Sequence, residues 1–208
     1  MKKVLGVILG GLFLFQAGTV WATVTTFTVS ATVPTATSVT INVDSVNANT
    51  NVFSLLAAGT TALSFDPMTY NTTNGIYLPS IYYALNFGVN GGAGEPDVTV
   101  TYNEGTNPNG ATNGLGYKTT ATFAKEVVAN GATTETFLTN HGPKKRLIDL
   151  SGEHVSYSEL AGAYLRIYLG VWTGSTVSPA DPSNGQPFSN SDAPGTYTGS
   201  LVVTAVVN

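Results

Sequence analysis

The chain reads as an all-β protein, on three observations. Residues 26–33 alternate strictly, with Phe27, Val29, Ala31 and Val33 on one face and Thr26, Thr28, Ser30 and Thr32 on the other. Residues 197–207 do the same, with Tyr197, Gly199, Leu201, Val203, Ala205 and Val207 on one face. Between them, six Asn-Gly pairs punctuate the chain (Asn74-Gly75, Asn90-Gly91, Asn109-Gly110, Asn113-Gly114, Asn130-Gly131 and Asn184-Gly185). Asn-Gly tolerates the positive φ that tight hairpin turns require.

The elements follow in order. Residues 1–22 read as a secretory signal peptide: Lys2 and Lys3 form a basic start, 4–15 an apolar run, and Val20-Trp21-Ala22 a small-x-small cleavage pattern. Residues 23–34 carry the first alternating strand. Further strands are expected at 38–43, 62–65, 76–89, 98–102, 119–128, 135–139, 163–172 and 197–207. In 163–172 one face carries Ala163, Leu165, Ile167, Leu169 and Val171, a core pattern. The other carries Tyr164, Arg166, Tyr168 and Trp172. That second face is either another buried layer or an aromatic strip facing a ligand, with Tyr164, Tyr168 and Trp172 as the ligand-facing candidates. Residues 52–58 and 157–163 can each form a short turn of helix, and 179–195 reads as a Pro-rich loop. With no repeat and no linker, residues 35–208 are expected to form one domain.

Composition excludes several functions. The chain of 208 residues has no Cys, which removes thiol catalysis, thiolate metal sites and disulfide staples. Its charged fraction is 10%, with 12 acidic against 8 basic residues, so nucleic-acid binding lacks its basic footprint. No nucleophile elbow, phosphate-binding loop, zinc helix motif or dinucleotide fingerprint is present. His141 and His154 are the two histidines; a hydrolase or metal site near His154, using Asp149, Ser151 or Glu153, is the weakest alternative. Glu95, Asp97, Glu104, Asp181 and Asp192 lack the regular spacing of a calcium loop. Lys144-Lys145-Arg146 reads as a solvated basic turn, with a contact to an acidic neighbour as the alternative. No cofactor, metal or catalytic residue is expected.

The two ends carry a resemblance. Phe27-Thr28-Val29-Ser30-Ala31-Thr32-Val33-Pro34 and Gly195-Thr196-Tyr197-Thr198-Gly199, the latter followed by an alternating strand, resemble the ends of bacterial fimbrial subunits assembled by the chaperone–usher route. The colonization-factor type is favoured over the spore-coat-U-like archaic type, many of whose members carry a Cys pair. The resemblance implies an incomplete immunoglobulin-like β-sandwich and an N-terminal donor strand. It implies head-to-tail polymerisation by donor-strand exchange and a role in adhesion. The partners would be identical or related pilin subunits, a periplasmic chaperone and an outer-membrane usher, with export through the periplasm to the cell surface. Phe27, Val29, Ala31 and Val33 would be the knobs; the face from Tyr197 to Val207 would help form the groove. Each fully buried Phe or Val knob would contribute roughly 1.5–3 kcal/mol. The alternative is a secreted β-sandwich module or tip adhesin binding host or surface glycans, with the N-terminal strand in its own sheet.

Overall fold

The computed structural model describes residues 25–32, 37–91, 96–110, 112–119, 123–129, 144–150, 153–155, 163–170 and 184–207. Thirteen strands are found among them: β1 Thr25–Thr32, β2 Thr37–Asn47, β3 Phe53–Leu55, β4 Ala62–Ser64, β5 Met68–Asn71, β6 Ile76–Pro79, β7 Ile81–Gly91, β8 Pro96–Glu104, β9 Phe123–Ala129, β10 Glu153–Val155, β11 Ala163–Leu169, β12 Phe188–Ser189 and β13 Tyr197–Val207. Two 3-10 turns, Leu115–Tyr117 and Leu147–Asp149, are the helical elements described. The protein is all-β.

Two five-stranded sheets run β10-β8-β13-β1-β4 and β3-β2-β7-β11-β9; a small third sheet runs β12-β6-β5. One hydrophobic core draws on both large sheets. The first supplies Phe27, Leu63, Val98, Val100, Tyr197, Leu201 and Val203, and the second Val43, Leu85, Phe87, Leu165, Ile167 and Leu169. On β7, β8, β11 and β13 residues two apart enter it together, as the period-2 pattern requires.

The expected strand at 76–89 divides at Ser80, and its halves join different sheets. Pro79, lacking an N–H, ends β6 where the ladder stops. The expected helical turn at 52–58 instead begins as β3, paired antiparallel with β2. The Asn47 side chain accepts the N–H groups of Asn49 and Thr50, and Asn51 takes φ 54°, so an Asn-rich turn closes a hairpin. Asn74-Gly75 behaves as expected: it joins β5 to β6, with Gly75 at φ 69°. The loop expected at 179–195 contains β12, because Phe188 is buried edge-to-face against Tyr197, ring centroids 4.8 Å apart. The expected strand at 135–139 lies outside the described residues, as does the helical turn expected at 157–163 except for Ala163, which begins β11.

β11 is buried on both faces. Arg166 and Tyr168, opposite the core-facing Leu165 and Ile167, are themselves 1% and 0% exposed. Arg166 Nε donates to Asn86 Oδ1 at 2.6 Å, Asn86 Nδ2 donates to Asp44 Oδ2 at 3.0 Å, and the guanidinium lies 5.0 Å from the Phe53 ring centre. Burial raises the Asp44 carboxyl, and Arg166 opposes that shift. Tyr168 packs with Val46, Tyr82 and Ala84 in a second apolar cluster. This corrects the expectation of a ligand-facing Tyr168: a side chain without exposed surface offers no stacking platform. Tyr164 stands opposite Val128 on β9, and Trp172 lies outside the described residues.

The basic turn is also corrected. Lys144 is buried. Lys145 exchanges both backbone hydrogen bonds with Phe123, and its Nζ pairs with Glu153. Arg146 makes two hydrogen bonds to Asp149, 2.7 and 2.8 Å, and stacks over Tyr117. The expected solvated run is a junction between β9 and β10.

Candidate functional site: the N-terminal strand and its groove

β1 is an interior strand. It runs parallel to β13 over eight residues, from Thr25 opposite Tyr197 to Thr32 opposite Thr204. On its other side β4 pairs with Thr26–Thr28 alone. That edge of β13 is therefore occupied by the same chain. Parallel neighbours ordinarily need a long crossover; here the whole domain lies between them.

Phe27 anchors this arrangement. It has no exposed surface, stands between Leu63 on β4 and Gly199 on β13, and stacks on Tyr102 of β8 at 6.3 Å with the rings 11° apart. Val29 stands opposite Leu201 and Ala31 opposite Val203. Val33 lies outside the described residues. On the groove side, Tyr197, Leu201 and Val203 are buried. Ala205 stands opposite Val98, and Val207 opposite Pro96, on β8.

Gly199 is glycine because Tyr102 crosses it. A Cβ there would lie 2.5–2.6 Å from the Cε2 and Cζ atoms of that ring. The other ring edge is closed by Gly116, whose added Cβ would lie 2.6 Å from Tyr102 Cε1. The ring fills the space that Gly199 leaves and carries Phe27 on its face. Burial, with the Glu104 carboxylate beside it, pushes the Tyr102 hydroxyl well above its ordinary range.

Beyond Thr28, β4 no longer follows β1. A cleft of about 510 Å³ opens there, lined by Thr28 and by Ile41, Val43, Leu55, Leu56 and Ala57. Leu55 is 70% exposed beside it. Among the described residues, Val29–Thr32 have a strand neighbour on the β13 side alone.

Two of the acidic residues weighed as calcium ligands, Glu104 and Asp192, have other work; Glu95 and Asp181 lie outside the described residues. Glu104 accepts the N–H groups of Leu115 and Gly116, each at 2.9 Å, and so caps the first 3-10 turn. Asp192 binds Lys118, Asn109 and Ser189. Asp149, named in the hydrolase alternative, is held by Arg146, which keeps its carboxyl below the usual range. His154 stands on β10 opposite Thr99; Ser151 and His141 lie outside the described residues. Sequence reasoning misses the buried polar cluster around Lys118. Lys118 and Asp192 are 74 residues apart in the chain, and no local pattern marks either one.

Tyr197 makes the groove sensitive to alkali. Its hydroxyl donates to the Ala193 carbonyl at 2.7 Å, and burial, with the Asp192 charge second, pushes its pKa up to about 12. The folded state favours the neutral phenol. Its contribution is therefore intact below the ordinary tyrosine value of about 10 and is lost as pH rises from there toward about 12, an effect of about 2–3 kcal/mol. Urea unfolding across that window should show falling stability, with a shallower fall in Tyr197→Phe. An identical slope in the variant would remove Tyr197 as a source.

No family model, curated protein or solved structure matches this chain.

Proposed function

We propose that the protein is a structural subunit of a bacterial surface fimbria. It polymerises head-to-tail by donor-strand exchange and serves in adhesion. On this reading the domain is an immunoglobulin-like sandwich that lacks one strand of its own, exported through the periplasm with a chaperone and an usher as partners. The observation that carries the reading is the position of β1. It is the first strand of the described residues, yet it fills an interior slot between β13 and β4. An identical strand from a second copy would meet the same Gly199, Leu201 and Val203 positions in the same register. Exchange of identical elements is an accessible route between monomer and assembly, and a head-to-tail contact that does not close makes a filament.

A variant lacking residues 23–33 tests this. It should be recovered only with its chaperone or with an added peptide spanning β1, and should form no filaments. Filaments assembled from the deletion variant would overturn the proposal. The same placement of β1 in its own sheet also favours a second reading, a secreted β-sandwich module that binds glycans as a monomer. That reading expects concentration-independent monomers and glycan binding lost in Trp172→Ala. Binding to no glycan at all counts against it.

A further inference from the structure

We propose that Lys118 and Asn109 join their side chains in an intramolecular amide bond, with Asp192 carrying the proton. The three residues form a closed constellation. Lys118 is 2% exposed and the Asp192 side chain 8%. One oxygen, Asp192 Oδ1, accepts from Lys118 Nζ at 2.5 Å and from Asn109 Nδ2 at 2.7 Å. The other, Oδ2, accepts the Ser189 N–H at 2.8 Å, with Ser189 Oγ at 3.5 Å. The carboxylate is thus fixed between an amine and an amide nitrogen. Asn109 Oδ1 accepts the Ala193 N–H at 2.7 Å, and Nδ2 also donates to the Asn113 carbonyl at 3.0 Å. Phe188 covers the amine, with Lys118 Nζ 5.0 Å from its ring centre, while Asn109 is half-buried.

Each part has a role in amide exchange. In the proposed exchange Asp192, already hydrogen-bonded to Lys118 Nζ, takes one of its protons and frees the nitrogen lone pair. The amine nitrogen attacks Asn109 Cγ. Negative charge develops on Oδ1, where the Ala193 N–H already points. Asp192 returns the proton to Nδ2, the Cγ–Nδ2 bond breaks, and ammonia leaves, taking up the remaining proton as ammonium. One ammonium and one primary amide become one secondary amide and one ammonium, with no oxidation and Asp192 regenerated. A carboxyl bridging nucleophile and leaving group is the arrangement general acid–base catalysis requires, and fixed neighbours supply the effective concentration. The competing attack on Asn109 by the Gly110 nitrogen is disfavoured, since that N–H is donated to the Asn107 carbonyl at 3.1 Å.

Chymotryptic digestion of the purified full-length protein followed by tandem mass spectrometry tests the bond. Cleavage after Tyr117 separates Lys118 from Asn109 unless the side chains are joined. The expected product is the two peptides linked and lighter by one ammonia than their sum. Lys118→Arg should give no linked product, and Asp192→Asn should lower it by about 100-fold or more. The wild-type digest decides the matter even if a variant fails to fold. Separate peptides of unaltered mass overturn the proposal. So does an ammonia loss confined to one linear peptide across Asn109-Gly110, which is a cyclic imide. A Lys118–Asp192 link lighter by one water also overturns it, by making Asp192 the electrophile.

Discussion

Phe27→Ala should lower unfolding stability by about 3–5 kcal/mol, the cost of emptying a fully buried aromatic site. Against a total of about 5–15 kcal/mol for an ordinary domain, that is a large share. The loss has two sources. Removing the ring forfeits its burial and its stack on Tyr102. It also weakens the hold on β1, whose second strand partner, β4, spans three residues. Thr28→Ala is the matched control: Thr28 is the next residue on β1, faces outward and is exposed, so its change should fall within about 0.5 kcal/mol. Urea midpoints at unchanged slope would make the comparison. A Phe27→Ala loss as small as that of the control would show that β1 is not anchored by Phe27. If β1 also serves a neighbouring copy, the variant should lose assembly in parallel with stability, because both use the same buried ring.

Much of this frame is written in period-2 alternation. Residues 197–207, expected as a strand, form β13 with those ends. The first strand, expected at 26–33, is found at Thr25–Thr32. Alternation tells which residues share a face, and that is all it tells. It does not name the neighbour, so the parallel pairing of β1 with β13 of the same chain cannot be read from it. Nor does it separate a surface face from a second buried one when polar and aromatic residues share it. Arg166 and Tyr168 look like surface residues by type, and they are buried because Asn86, Asp44 and Phe53 receive them from β7, β2 and β3. The Lys118 cluster is illegible for a related reason. A buried cation needs partners, and those come from loops remote in sequence, where Asn109 reads as a hairpin residue and Asp192 as a loop carboxylate.

Gly199→Ala should cost about 2–3 kcal/mol, the upper part of the range for forcing a methyl group into a packed site. The new Cβ would meet the Tyr102 ring at 2.5–2.6 Å, far inside ordinary contact. The ring cannot swing aside without loss: Gly116 closes its other edge and Phe27 lies on its face. Relief therefore has to come from the β13 backbone, which carries β8 on one side and β1 on the other. A double-mutant cycle isolates the cause. Tyr102→Leu alone should destabilise through lost burial, but in the Gly199→Ala background it should cost much less, because the shorter side chain vacates the space that the methyl needs. A coupling of about 1–2 kcal/mol, favourable to the pair, is expected for side chains in direct contact. Simple additivity would mean that Tyr102 is not what makes position 199 a glycine. It would also detach Gly199 from Phe27, since an aromatic ring crosses this glycine, in a strand rich in β-branched residues, to reach Phe27.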